Sequence, residues 1–249
     1  VWQNPENEEI KLETLKSLLS PSVKTIVTSF VQYATGFRQD LEAVGQLKGE
    51  RYLVVNASQG LGALEVDVNR WNVDFLCSNG YKWLMAGYGS GIFYIRKKWL
   101  AAFPPRSVGW RSMKEPEQMD NQRLDLKNEA SRCELGCPSF PTIFALGAAV
   151  DYLSEIGIQK IEKRILELTN FLIQGLEKLG FEIVSPREPQ HRSGIVVFKV
   201  KEAEKVRHLL LRKKIYVSAR GVGLRVAPHF YNSFEDIEVL LNAIASRNT

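Results

Sequence analysis

Residues 52–95 read YLVVNASQGLGALEVDVNRWNVDFLCSNGYKWLMAGYGSGIFYI, and this stretch decides the fold. It contains three short predicted strands, at residues 52–55, 73–77 and 91–95, separated by polar and glycine-rich turns. The first run is apolar throughout, which is typical of a strand buried on both faces of a parallel sheet. A short helix is expected just upstream, at Gln39–Leu47. Such alternation of helices and strands indicates an α/β layered domain.

The alternation extends on both sides of this stretch. Upstream, the sequence predicts an amphipathic helix at about residues 8–19 and a strand in KTIVTSFV, residues 24–31. Because the chain opens straight into that helix, we expect it to begin inside a domain, as a fragment would. Downstream, residues 104–137 are irregular and rich in charge. Loops of that length are usually functional or mobile.

The second half of the chain follows a different pattern. Two long helices are predicted at residues 141–156 and 159–179. The elements that follow them are short and form an α+β unit, with strands at 181–184, 194–200, 215–219 and 223–227 and helices at 202–212 and 233–246. We therefore expect part of a large domain at residues 1–137, a connecting helix at 138–157 and a small domain at 158–249.

Composition restricts the class of protein. With 249 residues, of which 45% are apolar, the chain can bury a sizeable core. It has no run of about 20 apolar residues that could span a bilayer, and its polar start lacks the apolar core of a signal peptide, so we expect a cytoplasmic protein without a membrane segment. The net charge of +5 comes from interspersed acids and bases, which argues against nucleic-acid binding. Three cysteines without metal-ligand spacing predict reduced thiols.

Ligands of open α/β sheets bind at the carboxyl ends of strands, so candidate residues are sought in the loops that follow strands. Three such places carry polar groups: residues 56–60, residues 78–82, and His229 after a strand that contains Arg225. We expect His229 to order the turn into the final helix. Cys77, which closes a strand, is expected to be a small core residue.

Lys82 stands between two large aromatic residues, Tyr81 and Trp83. A lysine in a desolvated pocket has a lowered pKa, and its amine can form a Schiff base with an aldehyde cofactor. Alternatively, Lys82 rests its stem on the aromatic rings and leaves its ammonium in water. Arg225 presents a similar choice. An arginine inside an apolar strand needs an anionic partner, which is either a substrate carboxylate or a structural aspartate.

Beyond these local signals, residues 54–100 resemble the core of the class V aminotransferase family. The upstream TSFVQYATGFRQDLEAVGQL resembles the family's preceding strand and turn, RCELGCPSFPTIFALGAAVDYL its return into the small domain, and GVGLRVAPHFYNSFEDIEVLL its C-terminal signature. Family members are pyridoxal-phosphate enzymes of fold type I. The resemblance implies part of a large domain built on a mostly parallel sheet, followed by an α+β small domain.

The resemblance also implies roles for individual residues. Lys82 matches the lysine that holds pyridoxal 5′-phosphate as a Schiff base, and Gln59 matches the glutamine that hydrogen-bonds the phenolic oxygen of the cofactor. Arg225 matches the arginine that binds the α-carboxylate of the substrate. Gly136 lies in the loop that, in family dimers, reaches toward the phosphate in the partner subunit. A homodimer acting on an amino-acid substrate is therefore implied.

Four positions expected to contact the cofactor depart from the family pattern. Asn56 stands where an aspartate normally pairs with the protonated ring nitrogen, and asparagine offers only a neutral hydrogen bond. Asn79 stands where a phosphate-binding serine is common, Tyr81 where histidine is common, and Cys137 where threonine often follows the glycine. Asparagine and tyrosine can still donate to phosphate. The departures also permit a second hypothesis, in which the chain is a catalytically silent relative or fragment that serves as a binding or scaffold module.

The cysteines bear on the type of reaction. Desulfurases of this family need a cysteine on a small-domain loop to attack the substrate sulfur. No cysteine follows Cys137, and residues 215–225, IYVSARGVGLR, contain none. We therefore expect a reaction of the aminotransferase, epimerase or lyase type and not desulfuration.

Overall fold

The structure is a computed structural model that describes residues 11–120 and 122–246. The first residues of the helix expected at 8–19 lie outside this part of the chain. The described helices are α1 (Leu12–Leu18), α2 (Leu41–Leu47), α3 (Phe140–Ile156), α4 (Ile158–Lys178), α5 (Ala203–Arg212) and α6 (Phe234–Ala245). The described strands are β1 (Thr25–Ser29), β2 (Tyr52–Asn56), β3 (Phe75–Asn79), β4 (Gly91–Ile95), β5 (Val196–Lys199), β6 (Ser218–Arg220) and β7 (Gly223–Val226).

The first sheet has the strand order β1-β2-β3-β4. Strands β1, β2 and β3 run parallel, and β4 is antiparallel to β3. This mostly parallel sheet, with α2 between β1 and β2, confirms the predicted α/β class. Because the parallel strands share a direction, the carboxyl ends of β2 and β3 lie at the same edge of the sheet.

One face of this sheet corrects two expectations. Strand β2 was expected to be buried on both faces, but burial alternates along it, with Leu53 and Val55 buried and Val54 only half-buried. Val27, on the same face as Val54, is 73% exposed, and Cys77 is exposed instead of lying in the core. The physical reason is that the described residues cover this face only in part, where Trp99 and Phe103 pack on Tyr52 and Phe75.

A buried ion pair that the sequence analysis did not anticipate lies at the end of the sheet where β3 begins. Lys48, just after α2, donates to the carboxylate of Asp74, and the two side chains are only 3% and 0% exposed. The same carboxylate accepts hydrogen bonds from Trp99 Nε1 at 2.6 Å and from the Leu53 amide at 2.9 Å. Burial raises the pKa of Asp74, but the hydrogen bonds from Lys48, Trp99 and Leu53 lower it by a larger amount. The pKa of Asp74 therefore lies below its ordinary value.

The second sheet is antiparallel, with the order β5-β7-β6. Helices α4, α5 and α6 cover one of its faces and form a core with it. Two strand predictions are corrected here. Residues 181–184 form only an isolated bridge, from Ile183 to Phe198, and β6 begins at Ser218 instead of residue 215. Helix α6 begins with a capping box, because the side chains of Ser233 and Asp236 accept hydrogen bonds from each other's backbone amides.

The two sheets are joined through the turn that follows β1. Two buried serines of the second half, Ser185 and Ser193, donate to the carbonyls of Thr35 and Gly36 at 2.6 and 2.7 Å. Gly36 has φ +78°, and a Cβ there would lie 2.5 Å from the carbonyl oxygen of Ile195. Only glycine therefore suits this junction. Since helix α4 also contributes to the core of the first sheet, the domain boundaries at residues 137 and 157 remain a prediction.

The stretch at residues 104–137 is irregular, as expected, and contains short 3₁₀ turns at Trp110–Ser112, Pro116–Gln118 and Ala130–Cys133. Among residues 11–120 and 122–246, no helix is both long enough and apolar enough to cross a membrane.

The buried ion pair gives a test of the frame. Asp74→Ala leaves the Lys48 ammonium buried without its partner, so we expect the free energy of unfolding to fall by about 3–5 kcal/mol. Urea denaturation followed by circular dichroism measures it. The control is Glu182→Ala, which removes the exposed partner of Lys199 and should change the free energy by less than about 1 kcal/mol. A similar small change for Asp74→Ala would contradict the assignment.

Candidate active site

The carboxyl ends of β2 and β3 carry three polar residues that are linked by hydrogen bonds from backbone amides to side-chain oxygens. Asn56 ends β2 and is exposed, and its Oδ1 accepts a hydrogen bond from the Ser58 amide at 3.0 Å. Ser58 Oγ in turn accepts from the Asn79 amide at 3.3 Å. This chain of bonds fixes the loop after β2 against the end of β3. Two predicted site residues, Asn56 and Asn79, are thereby brought to one edge of the sheet.

The loop after β2 also packs against the loop that carries Lys82. Gly62 has φ +97°, and a Cβ there would lie only 2.7 Å from the carbonyl oxygen of Trp83. Both the backbone angle and the close approach require glycine. Gln59 is half-buried in the turn just before Gly62. The structure therefore places the Gln59 loop beside the Lys82 loop.

The Lys82 loop is a compact turn. The carbonyl of Lys82 accepts from the Met85 amide at 2.9 Å, and that of Gly80 accepts from the Ala86 amide at 2.8 Å. Met85 has φ +56°, in the left-handed region that non-glycine residues seldom occupy. Such strained backbone is found most often at functional sites.

The environment of the Lys82 side chain is intermediate between a desolvated pocket and full exposure to water. It is half-buried, with Nζ 5.6 Å from the centroid of the Tyr81 ring. Burial lowers the pKa of Lys82, and the nearby positive charge of Arg225 lowers it further. No carboxylate of the described residues lies within 4 Å of Nζ to oppose this effect. The Lys82 ammonium is therefore only partly exposed to solvent.

Arg225 projects from the middle of β7. Its Nη1 donates to the carbonyl oxygen of Tyr33 at 3.0 Å, and no carboxylate in the described part of the chain lies within 4 Å of it. Burial lowers the pKa of Arg225, and so does the charge of Arg220. The structural aspartate that was one possible partner is therefore absent from the described residues.

The remaining predicted cofactor contacts differ in their surroundings. Oδ1 of Asn79 is buried and has no hydrogen-bond partner. Tyr81 is 41% exposed and stacks on Tyr88 with ring centroids 4.7 Å apart. Gly136 packs beside the indole of Trp110, and Cys137 is exposed. Gly136 and Cys137 belong to the irregular loop before α3, and their expected role toward a phosphate in a partner subunit stays a prediction.

His229 makes a contact that the sequence did not predict. Its amide donates to Asn232 Oδ1 at 2.9 Å, which confirms that it orders the turn before α6. Nδ1 of its buried ring accepts from the Phe230 amide at 3.0 Å, so the proton is on Nε2, which donates to the Trp83 carbonyl at 3.2 Å. The ring also stacks on Trp83, with centroids 5.2 Å apart. His229 thus holds the residue next to Lys82.

The sequence model of the family "Aminotransferase class-V" matches residues 1–240. The chain belongs to the class V aminotransferase family. The cofactor of this family is pyridoxal phosphate, and solved relatives of the same fold include an enzyme with glycine covalently linked to it.

Three proteins are similar to this chain in sequence or in structure. The "Uncharacterized aminotransferase YcbU" of Bacillus subtilis is 25% identical over 96% of this chain and 63% of its own length. A "Probable cysteine desulfurase" of Pyrococcus abyssi is 30% identical over 89% of this chain and 59% of its own. The apo structure of a cysteine desulfurase from Thermococcus onnurineus superposes with a TM-score of 0.89 at 25% identity, over 98% of this chain and 64% of that one.

These comparisons confirm the fold type I architecture expected for a class V aminotransferase. The chain spans about three fifths of the length of each of these proteins. Two of the three carry the name cysteine desulfurase, which stands against our expectation that this chain is not one.

The contact between His229 and Trp83 predicts a pH dependence. Burial lowers the pKa of His229, so the folded chain binds a proton there less readily than the unfolded chain. The stability contributed by the neutral ring is complete above about pH 6.5, the ordinary histidine pKa, and is lost as the pH falls through the folded pKa. We expect His229→Gln, which keeps a donor but cannot titrate in this range, to flatten the decline of the thermal midpoint below pH 6.5.

His208, an exposed histidine on α5, provides the matched control. His208→Gln should leave the acid dependence of the thermal midpoint as it is in the parent chain. If His229→Gln declines with pH as steeply as the parent, His229 does not carry this effect.

Proposed function

We propose that this chain acts in a pyridoxal-phosphate enzyme that binds the amino group of an amino-acid substrate through a site built on Lys82. The observation that carries the proposal is the sheltered amine of Lys82, which has a lowered pKa and lies near Arg225. A lysine serves as a nucleophile or a base only in its neutral form, and burial beside a second cation favours that form.

The residues at the edge of the first sheet fit the family's cofactor. Lys82 would hold it covalently, with Asn56 and Gln59 toward the ring and Asn79 and Tyr81 toward the phosphate. The buried, unpartnered amide oxygen of Asn79 supports this fit, because turning the amide by 180° presents a donor at the same place. When bound, pyridoxal phosphate supplies an electron sink for the bonding electrons of the substrate's α-carbon.

The chain's own side chains supply binding and proton transfer. Arg225 binds the α-carboxylate, for which its planar guanidinium is suited, and no carboxylate of the described residues lies within 4 Å to compete for it. Lys82, once its amine is free, takes or returns the proton at the α-carbon. The hydrogen bond from Arg225 to the Tyr33 carbonyl supports a fixed orientation of the guanidinium beneath the substrate.

The type of reaction is proposed as transamination, epimerisation or β-elimination. Desulfuration is disfavoured because the turn between β6 and β7 contains only Gly221 and Val222, which leaves no cysteine to attack a sulfur atom. The names of the similar desulfurases oppose this part of the proposal. A homodimer and a cytoplasmic location remain predictions from the sequence.

A second candidate function is favoured by Asn56. Its side chain is neutral, and its Oδ1 already accepts a hydrogen bond from Ser58. Without a carboxylate at this position the ring nitrogen has no charged partner, and a charged hydrogen bond contributes about 1.5–3 kcal/mol against about 0.5–1.5 for a neutral one. This deficit supports the alternative of a catalytically silent relative or fragment used as a binding or scaffold module.

Cofactor attachment tests the proposal. We expect the chain, incubated with pyridoxal phosphate and desalted, to keep a visible absorbance band that borohydride removes. Peptide mapping should then find the reduced cofactor on Lys82, and Lys82→Ala should show neither signal. Lys98, whose Nζ lies 4.5 Å from the ring centroid of Trp99, is a lysine in a comparable aromatic setting, and Lys98→Ala should keep both signals.

Two results would contradict the proposal. A band that persists in Lys82→Ala, or mapping to another lysine, would place the attachment elsewhere. A parent chain that binds no cofactor at all would favour the silent relative.

A further inference from the structure

The second sheet turns one face toward the first sheet. Ala219, Leu224 and Val226 point the other way, into the core formed with α4, α5 and α6. Val197 pairs with Arg225 in the ladder and packs in the core of the first sheet. Side chains alternate along a strand, so Arg225 lies on the face that looks toward the first sheet and Lys82.

Arg220 lies on this same face. Ser218 of β6 is directly opposite Arg225 of β7, and Arg220 is two residues further along β6. Arg220 and Arg225 are therefore diagonal neighbours, a relation in which side chains about 7–8 Å apart at their bases can still meet. Two like charges placed in this way repel each other.

No carboxylate of the described residues forms an ion pair with either of these two arginines. Neither Arg220 nor Arg225 has a carboxylate within 4 Å in residues 11–120 and 122–246. Arg220 is exposed and donates from Nη1 to the adjacent Ala219 carbonyl at 2.8 Å. Glu204 on α5 senses the charge of Arg220, but its carboxylate is paired with Arg207 at 2.7 Å.

The repulsion extends to the candidate site. The charge of Arg220 lowers the pKa of Arg225, and that of Arg225 lowers the pKa of Lys82. Arg225 thus interacts electrostatically with both the amine of Lys82 and the guanidinium of Arg220. One carboxylate bound at Arg225 would leave the charge of Arg220 without a partner.

We propose that Arg220 forms a second anion subsite beside Arg225, so that the site takes short amino acids with an acidic side chain. The inference rests on the proposed function in one respect, the binding of the α-carboxylate by Arg225. The side-chain carboxylate of the substrate then lies at Arg220, where a guanidinium can bind it through two parallel hydrogen bonds. Amino acids with small neutral side chains leave this arginine without a partner.

A pair of ligands that differ by one carboxylate tests the subsite without the cofactor. We would titrate the purified chain, at low salt, with glutarate and with pentanoate, and follow binding by calorimetry. The expected result is at least about tenfold tighter binding of glutarate, because a charge-assisted hydrogen bond is worth about that factor. Arg220→Gln should remove this preference and leave the affinity for pentanoate unchanged, whereas Arg225→Gln should weaken the binding of both ligands.

The control removes a charge elsewhere in the same half of the chain. Lys213 is exposed at the end of α5, and Lys213→Gln should keep the preference for glutarate. The inference is overturned if the parent chain shows no preference, if Arg220→Gln keeps it, if Arg225→Gln leaves pentanoate binding unchanged, or if Lys213→Gln loses it equally. Circular dichroism of each variant confirms that the comparison is between folded chains.

The two proposals fail in different ways. The titration needs no cofactor on Lys82, so a chain that prefers glutarate but attaches no pyridoxal phosphate retains the subsite and loses the proposed enzyme function. A chain that attaches the cofactor but shows no preference retains the function and loses the subsite.

Discussion

The packing of Trp83 is the constraint on which the candidate site depends. Its backbone carbonyl lies against Gly62 and accepts a hydrogen bond from His229, and its ring packs on Gly194, where a Cβ would lie 2.5 Å from the indole. Trp83 therefore contacts both halves of the chain. Because Lys82 is its immediate neighbour, the same packing holds the lysine near Arg225 of the second sheet.

The two ends of the first sheet have opposite electrostatic characters. At the end where β3 begins, the carboxylate of Asp74 pairs with Lys48, lies 3.7 Å from Arg96, and accepts hydrogen bonds from Trp99 and Leu53. At the other end, Lys82 and Arg225 have no described carboxylate beside them. Balanced charges stabilise a frame, whereas unbalanced cations in a cleft are suited to an anionic ligand. This contrast supports the proposed site at the carboxyl ends of β2 and β3.

The sequence predicted the elements better than it predicted their contacts. Strand β4 was placed at its observed bounds, because its four apolar or aromatic residues, 92–95, lie between Gly91 and Arg96. Strand β3 begins two residues later than expected, since the amide of Val73 bonds the carbonyl of Val68 in a turn before the strand starts. Residues 181–184 form only one bridge with β5. The amides of Val184 and Ser185 both bond the carbonyl of Val197, which interrupts a regular ladder.

Local sequence patterns could not predict the contacts that hold the candidate site. Lys48 and Asp74 are separated by 26 residues and Trp83 and His229 by 146, so neither pair leaves a periodic signal in the chain. The exposed face of the first sheet was mispredicted for a related reason. An apolar strand shows that it can be buried on both sides, but only the positions of other elements decide whether it is. The roles of Lys82, Gln59 and Arg225 came from family resemblance, and local composition alone left them open.

The structure shelters the amine of Lys82, so we expect this amine to lose its proton more readily than that of an ordinary lysine. The pKa of that one amine tests this most directly, by NMR titration of chain labelled in its lysine side chains, with Lys82→Arg used to assign the signal. We predict a Lys82 pKa below the ordinary lysine value of about 10.4. A Lys82 pKa equal to or above that value would contradict it.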